Sequence, residues 1–106
     1  MKAAIIGSRC ASPKIELGFI PSEIISGGAK GVDTCAREYA NSRSIPLTEI
    51  LPDYAKHGKA APIIRNKDIV NACDIVYAYW DGKSKGTGMV IHYAKSIGKA
   101  IVIIPI

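Results

Sequence analysis

Two glycine-rich segments stand out because each leads into a helical pattern. The first is Gly27-Gly28-Ala29-Lys30-Gly31-Val32-Asp33. The second is Trp80-Asp81-Gly82-Lys83-Ser84-Lys85-Gly86-Thr87-Gly88. Glycine lets a backbone turn with positive φ and approach a ligand closely. A helix N-terminus adds free N–H groups and a partial positive charge. A pair of such segments suits phosphate, although tight turns alone also use glycine. Neither is a P-loop, and neither carries the dinucleotide pattern Gly-x-Gly-x-x-Gly. A third short segment, Gly7-Ser8-Arg9-Cys10, follows an apolar run. Arg9 and Arg65 can each grip a phosphate with two parallel N–H bonds. Trp80, the one tryptophan, offers either a surface for a base or a cap on the core.

Two carboxylates accompany these loops. Asp33 falls in the first turn of a helix, where it can act in catalysis or compensate the helix dipole. Asp81 can serve as a base, bond a ribose, or form an Asp-Gly turn. Cys35 and Cys73 fall on inner helix faces and read as core. Cys10 lies beside the loops with no histidine near it in sequence, which is weak support for a nucleophile. His57 reads as a solvated loop residue and His92 as a helix-surface residue. The histidines are too far apart to form a metal motif, and the three cysteines include no Cys-x-x-Cys pair. The sequence calls for no metal and no cofactor.

The elements that must position these residues alternate. Strands are expected over Ala3–Ile6, Glu23–Ser26, Leu47–Leu51, Asp74–Tyr79 and Ala100–Ile104. The first, fourth and fifth are nearly continuous apolar runs, which implies cover on both faces. Val32, Cys35, Ala36, Tyr39 and Ala40 share one face of a helix, and Val90, Tyr93, Ala94 and Ile97 repeat that spacing. Gly98 stops the latter helix. Pro62 opens another that runs to about Cys73. Between the first two strands, Gly7 to Ser22 contains Pro13, Gly18 and Pro21, leaving room for a short helix around Lys14 to Phe19. This alternation implies an α/β fold with a parallel sheet. Ligands of such sheets bind beyond the carboxyl ends of the strands, at the topological switch.

The whole is 106 residues, the length of a single domain over 1–106. No apolar run reaches membrane-spanning length, and Met1 to Ile6 is too short for a signal-peptide core, so the expected setting is cytoplasmic. Fourteen Lys and Arg against nine Asp and Glu give a net charge of +5, which favours anionic partners. Eight of the basic residues fall in or beside the loops: Arg9, Lys30, Lys56, Lys59, Arg65, Lys67, Lys83 and Lys85.

Four segments together resemble the SLOG superfamily, the Rossmann-like group of the DprA, YpsA and LOG proteins, and within it the small YspA-like members. They are Ile5-Ile6-Gly7-Ser8-Arg9, Ile24 through Thr34, Pro62-Ile63-Ile64-Arg65-Asn66, and Trp80 through Thr87. The resemblance implies a Rossmann-like three-layer sandwich with a five-stranded parallel sheet in the order 3-2-1-4-5. It implies a nucleotide-derived ligand over Gly7, Ser8, Arg9, the Gly27 to Asp33 loop (Gly27, Gly28, Ala29, Lys30, Gly31, Asp33) and Gly86-Thr87, with Arg65 and Asn66 also facing it. LOG phosphoribohydrolases carry Pro-Gly-Gly-x-Gly-Thr-x-x-Glu, and here Val90 takes the place of that glutamate. Valine cannot move a proton, so Asp33 and Asp81 are the carboxylates left for catalysis.

Three functions follow in order of preference. The first is binding or sensing of a nucleotide-derived small molecule. The second is nucleotide N-glycosidic hydrolysis. The third is DprA-like binding of single-stranded nucleic acid, for which aromatic residues are few. No membrane partner is expected, and exposed helix faces suit a homo-oligomer.

Overall fold

The computed structural model describes residues 1–106. Its strands are β1 (Lys2–Gly7), β2 (Glu23–Ser26), β3 (Leu47–Glu49), β4 (Ile75–Trp80) and β5 (Ala100–Pro105). Its helices are α1 (Val32–Ser42), α2 (Tyr54–His57), α3 (Ala61–Ala72) and α4 (Lys85–Ser96), with a 3₁₀ turn at Gly58–Ala60. The strands form one parallel sheet in the order β3-β2-β1-β4-β5. In register, Ala4 sits beside Ile25 on one side and Val76 on the other. The chain turns from one half of the sheet to the other between β1 and β4, so the switch point lies at the ends of those strands.

Side chains on β1 alternate between two buried clusters. Ala3 and Ile5 face a layer made by Val32, Ala36 and Ala40 of α1 together with Ile15 and Leu17. Ala4 and Ile6 face Ile69 and Val70 of α3 and Val90, Ile91 and Ala94 of α4. Each buried isoleucine contributes roughly 1.5–3 kcal/mol from removal of its surface from water. The alanines on both strand and helix allow close approach between layers.

The expected helix over Lys14–Phe19 does not form. That segment has no regular secondary structure, with Ile15 and Leu17 both buried at a spacing of two. Pro13 and Pro21 limit the run available to a helix, and Gly18 sits at φ +77°. The backbone is instead tied down from the sheet. Tyr77 Oη donates to Leu17 O at 3.3 Å, and Tyr79 Oη accepts from Glu16 N at 3.4 Å.

The fifth strand is also not covered on both faces. It forms the sheet edge, and Val102 and Ile103 remain exposed. α2 was not expected; Asp53 caps it by accepting from Lys56 N at 3.1 Å. Gly98 adopts φ +72° after α4, as a left-handed helix stop. No helix is long and apolar enough to cross a membrane.

Candidate functional site

A cavity of about 510 Å³ opens at the carboxyl ends of β1, β2 and β4. That volume is within the range of small-molecule sites. Its rim and floor come from Gly7 at the end of β1 and Ser8 to Cys10 after it, Gly27 and Ala29 after β2, and Asp81, Lys83 and Ser84 after β4. Pro62, Arg65, Asn66 and Ile69 of α3 form one wall, and Gly86, Thr87 and Val90 of α4 form another. Val32, first residue of α1, donates its N–H to Ser8 O at 3.1 Å, which joins the first two loops. Gly31, at φ +70°, lies so close to Ser8 and Arg9 that a side chain would strike their backbone.

Arg65 is the best-fixed cation of the site. It is only 9% exposed. Its Nη1 donates to Gly27 O at 2.7 Å and to Ile50 O at 3.3 Å, and its Nε donates to Asn66 Oδ1 at 2.9 Å. Nη2 makes no hydrogen bond within the chain, so its two N–H groups stay available to the cavity. Burial pulls the guanidinium pKa down, Asp33 opposes that pull, and Arg9 adds to it. Arg9 itself is exposed on the rim and forms no salt bridge.

Asp33 lies on the same floor and is buried. Its Oδ2 accepts from Ala29 N at 3.1 Å. Burial pushes its carboxyl up, against the Ala29 bond and the Arg65 charge, which favour the ionised form. Ser26 Oγ, fully buried, also favours that form without reaching normal hydrogen-bond geometry. The carboxylate thus takes a backbone donor of the very loop expected to cradle phosphate. Thr34 Oγ1 closes the loop further with a 3.3 Å bond to Ala29 O.

Asp81 is held differently. Its Oδ1 accepts from Lys83 N and Ser84 N, both at 2.8 Å, and these bonds hold its pKa below the usual carboxylate value. It shapes the turn into α4 and favours the ionised form, which makes it a poor proton donor. Ser84 Oγ and Thr87 Oγ1 lie 3.3 Å apart at the start of α4.

Of the residues expected at a ligand, Gly7, Ser8, Arg9, Gly27, Ala29, Asp33, Arg65, Asn66, Asp81, Gly86 and Thr87 meet around this cavity. Gly28, Lys30, Gly31 and Trp80 do not line it. Gly28 faces Leu51 and Glu49, and Gly31 serves the loop contact described above. Trp80 packs beside Gly88 and donates from Nε1 to Ser84 O at 3.0 Å, so it braces the turn. Of the eight basic residues noted beside the loops, Arg9, Arg65 and Lys83 reach the lining. Lys67 instead lies over the Tyr93 ring, 5.5 Å from its centre. The sequence reading missed Ile6, Pro62 and Ile69 as apolar walls and Ser84 as a hydroxyl in the lining. Their apolar or capping types gave no ligand signal. No group of three or more His, Cys, Asp or Glu residues is placed to hold a metal ion.

Among solved structures, the X-ray structure of DNA processing protein A (DprA) from Streptococcus pneumoniae is similar to this chain with a TM-score of 0.78. The two share a Rossmann-like fold. The alignment covers 98% of this chain at 21% identity, and the chain spans 50% of the length of that protein. No protein-family model and no curated protein sequence matches the chain.

The arrangement offers cationic and hydroxyl donors together with aliphatic side chains on the same walls. No aromatic side chain lines it. It can hold an anionic group and an adjoining compact apolar or sugar-like body, while stacking of a base between aromatic rings has no partner here.

Proposed function

We propose that the chain is a SLOG-superfamily domain over 1–106 that binds a nucleotide or nucleotide-derived phosphate without turning it over, as a YspA-like member of that group. The observation that carries this reading is Arg65. An arginine nine-tenths buried that lines the cavity, with Nε and Nη1 hydrogen-bonded and Nη2 making no hydrogen bond within the chain, is arranged to meet an anion. Lys83, Arg9 and the start of α4 supply further positive potential at the same opening. Val90 favours binding over hydrolysis. It stands where LOG enzymes carry glutamate, and it is buried on the cavity wall. Asp33 and Asp81 are each engaged by backbone N–H groups.

A second reading, single-stranded DNA binding, draws on the fold shared with DNA processing protein A and on the net charge of +5. The lack of aromatic residues in the cavity weighs against it. Thermal unfolding with AMP, ADP, NAD, ADP-ribose and a single-stranded oligonucleotide separates the two. A nucleotide at one hundred times its Kd stabilises the fold by about 2.7 kcal/mol. The binding account expects that shift for at least one nucleotide and only weak, steeply salt-dependent binding of the oligonucleotide. Stabilisation by the oligonucleotide alone would replace it with the DNA reading.

A further inference from the structure

The two edges of the sheet are built differently. β3 has three residues, and Arg37 of α1 reaches across to its Glu49 with bonds of 2.8 and 3.0 Å. Shortness and charge are common protections of an edge. β5 has six residues, Ala-Ile-Val-Ile-Ile-Pro, and no charge among them. Val102 and Ile103 are 39% and 38% exposed, and Ile97 before the strand and Ile106 after it are exposed too. The nearest lysine, Lys99, folds back from the edge and donates from Nζ to Cys73 O at 2.6 Å.

The backbone parity of this edge is fixed. Ile106 N donates inward to Trp80 O at 3.1 Å. Along a strand the donor and acceptor of alternate residues point to the same side. Ala100, Val102 and Ile104 therefore bond toward β4, and Ile101 and Ile103 present N–H and C=O outward. Pro105 also faces outward and has no N–H to offer.

We propose that β5 is a self-complementary edge that pairs antiparallel with β5 of a second copy of this chain, joining two five-stranded sheets into one. A two-fold axis at Val102 places Ile101 opposite the partner's Ile103. Every outward N–H and C=O of those residues then finds a match, and Val102 meets the partner's Val102 in a non-hydrogen-bonded pair, where side chains come closest. Moving the register by one pair toward the C-terminus shifts the Pro105 ring from the partner's Lys99, which lies outside the strand, to the partner's Ile101, and leaves that strand carbonyl unbonded. In the centred register Lys99 faces the partner's Pro105, so like charges are not opposed. The absence of charge along β5 favours a copy of itself over a charged partner strand, and an isologous contact closes after two chains.

The test is molar mass by light scattering at roughly 100 μM, a concentration suited to weak dimers, together with oxidative cross-linking in a Cys10→Ser/Cys35→Ser background. The expected mass is twice the chain's 11.3 kDa. Val102→Cys should give a disulfide-linked dimer, and Ile103→Cys, which faces the partner's Ile101, should not. Ile103→Pro removes an outward donor that the folded chain does not use, so the mass should halve with the circular dichroism spectrum retained. Ile103→Lys provides the same reading should the proline variant unfold. A wild-type mass of one chain, equal cross-linking of both cysteine variants, or a dimer that survives Ile103→Pro or Ile103→Lys would overturn the proposal.

Discussion

Replacing Gly27 with alanine perturbs the cavity floor and little else. Gly27 does not adopt positive φ, so alanine adds no backbone strain. Its Cβ would lie 2.7 Å from Arg65 Nη1, 3.1 Å from Cζ and 2.9 Å from Asp33 Oδ2. Each is well inside an ordinary contact of about 3.5–4 Å. The guanidinium ends a flexible side chain and can swing away, so the clash itself costs little. The loss is the 2.7 Å bond to Gly27 O and the 3.3 Å bond to Ile50 O. Hydrogen bonds to charged groups contribute about 1.5–3 kcal/mol, and the open cavity lets water restore part of that. The net effect is a stability loss of about 1–2 kcal/mol, which is roughly 5–10 °C in Tm for a domain of this size. Nη2 loses its alignment at the same time, and a lost guanidinium–phosphate contact of about 1.4–2.8 kcal/mol weakens nucleotide binding about 10- to 100-fold. Differential scanning fluorimetry and isothermal calorimetry with AMP read the two effects. A variant with wild-type Tm and wild-type Kd would refute the claim that Gly27 shapes the cavity by making room for Arg65.

Other substitutions separate the site from its frame. Gly7→Ala drives a Cβ into the Tyr79 carbonyl and to 2.7 Å from Val32 Cγ2, where backbone and core cannot swing aside. The expected cost is about 3 kcal/mol or more, visible as a far lower Tm than Gly27→Ala. Trp80→Phe removes the 3.0 Å bond to Ser84 O and should cost about 1 kcal/mol while leaving nucleotide affinity within twofold; a large affinity loss would return Trp80 to the ligand. Asp33 has a raised pKa in the folded chain, so its contribution to stability is present in acid and is lost as pH rises through the folded value. The Tm of Asp33→Asn relative to wild type should therefore improve between about pH 4 and pH 7, and a constant difference over that range would contradict the burial argument.

The sheet was legible because apolar runs and the helical face of Val32, Ala36 and Ala40 report burial directly. Gly27 and Ala29 of the first glycine-rich segment likewise line one cavity with Arg65 and Asn66. Other features depend on partners that sequence spacing does not reveal. Ile15 and Leu17 are buried at a period of two in an irregular segment held by hydroxyls from β4. The apolar run of β5 resembles that of a central strand, yet it lies on an edge. Gly31 and Gly28 sit in the expected phosphate loop, but their glycine identity serves contacts with Ser8, Arg9 and Leu51. Asp33 shows the same limit most clearly. A carboxylate four residues beyond Ala29 carried no sign that it would occupy that loop's own N–H. Closeness to a loop in sequence also does not bring a lysine to the cavity: Lys67 lies over the Tyr93 ring instead.

The central claim is that a nucleotide phosphate sits in the cavity against Arg65. A titration of the isotopically labelled chain with AMP, followed by two-dimensional NMR, tests it most directly. Saturable one-to-one shifts should concentrate at Arg9, Gly27, Ala29, Gly86, Thr87 and the Arg65 side-chain Nε, and Arg65→Met should abolish them. Shifts that stay linear in AMP and scatter over surface lysines such as Lys14, Lys56 and Lys95, unchanged by Arg65→Met, would contradict the account.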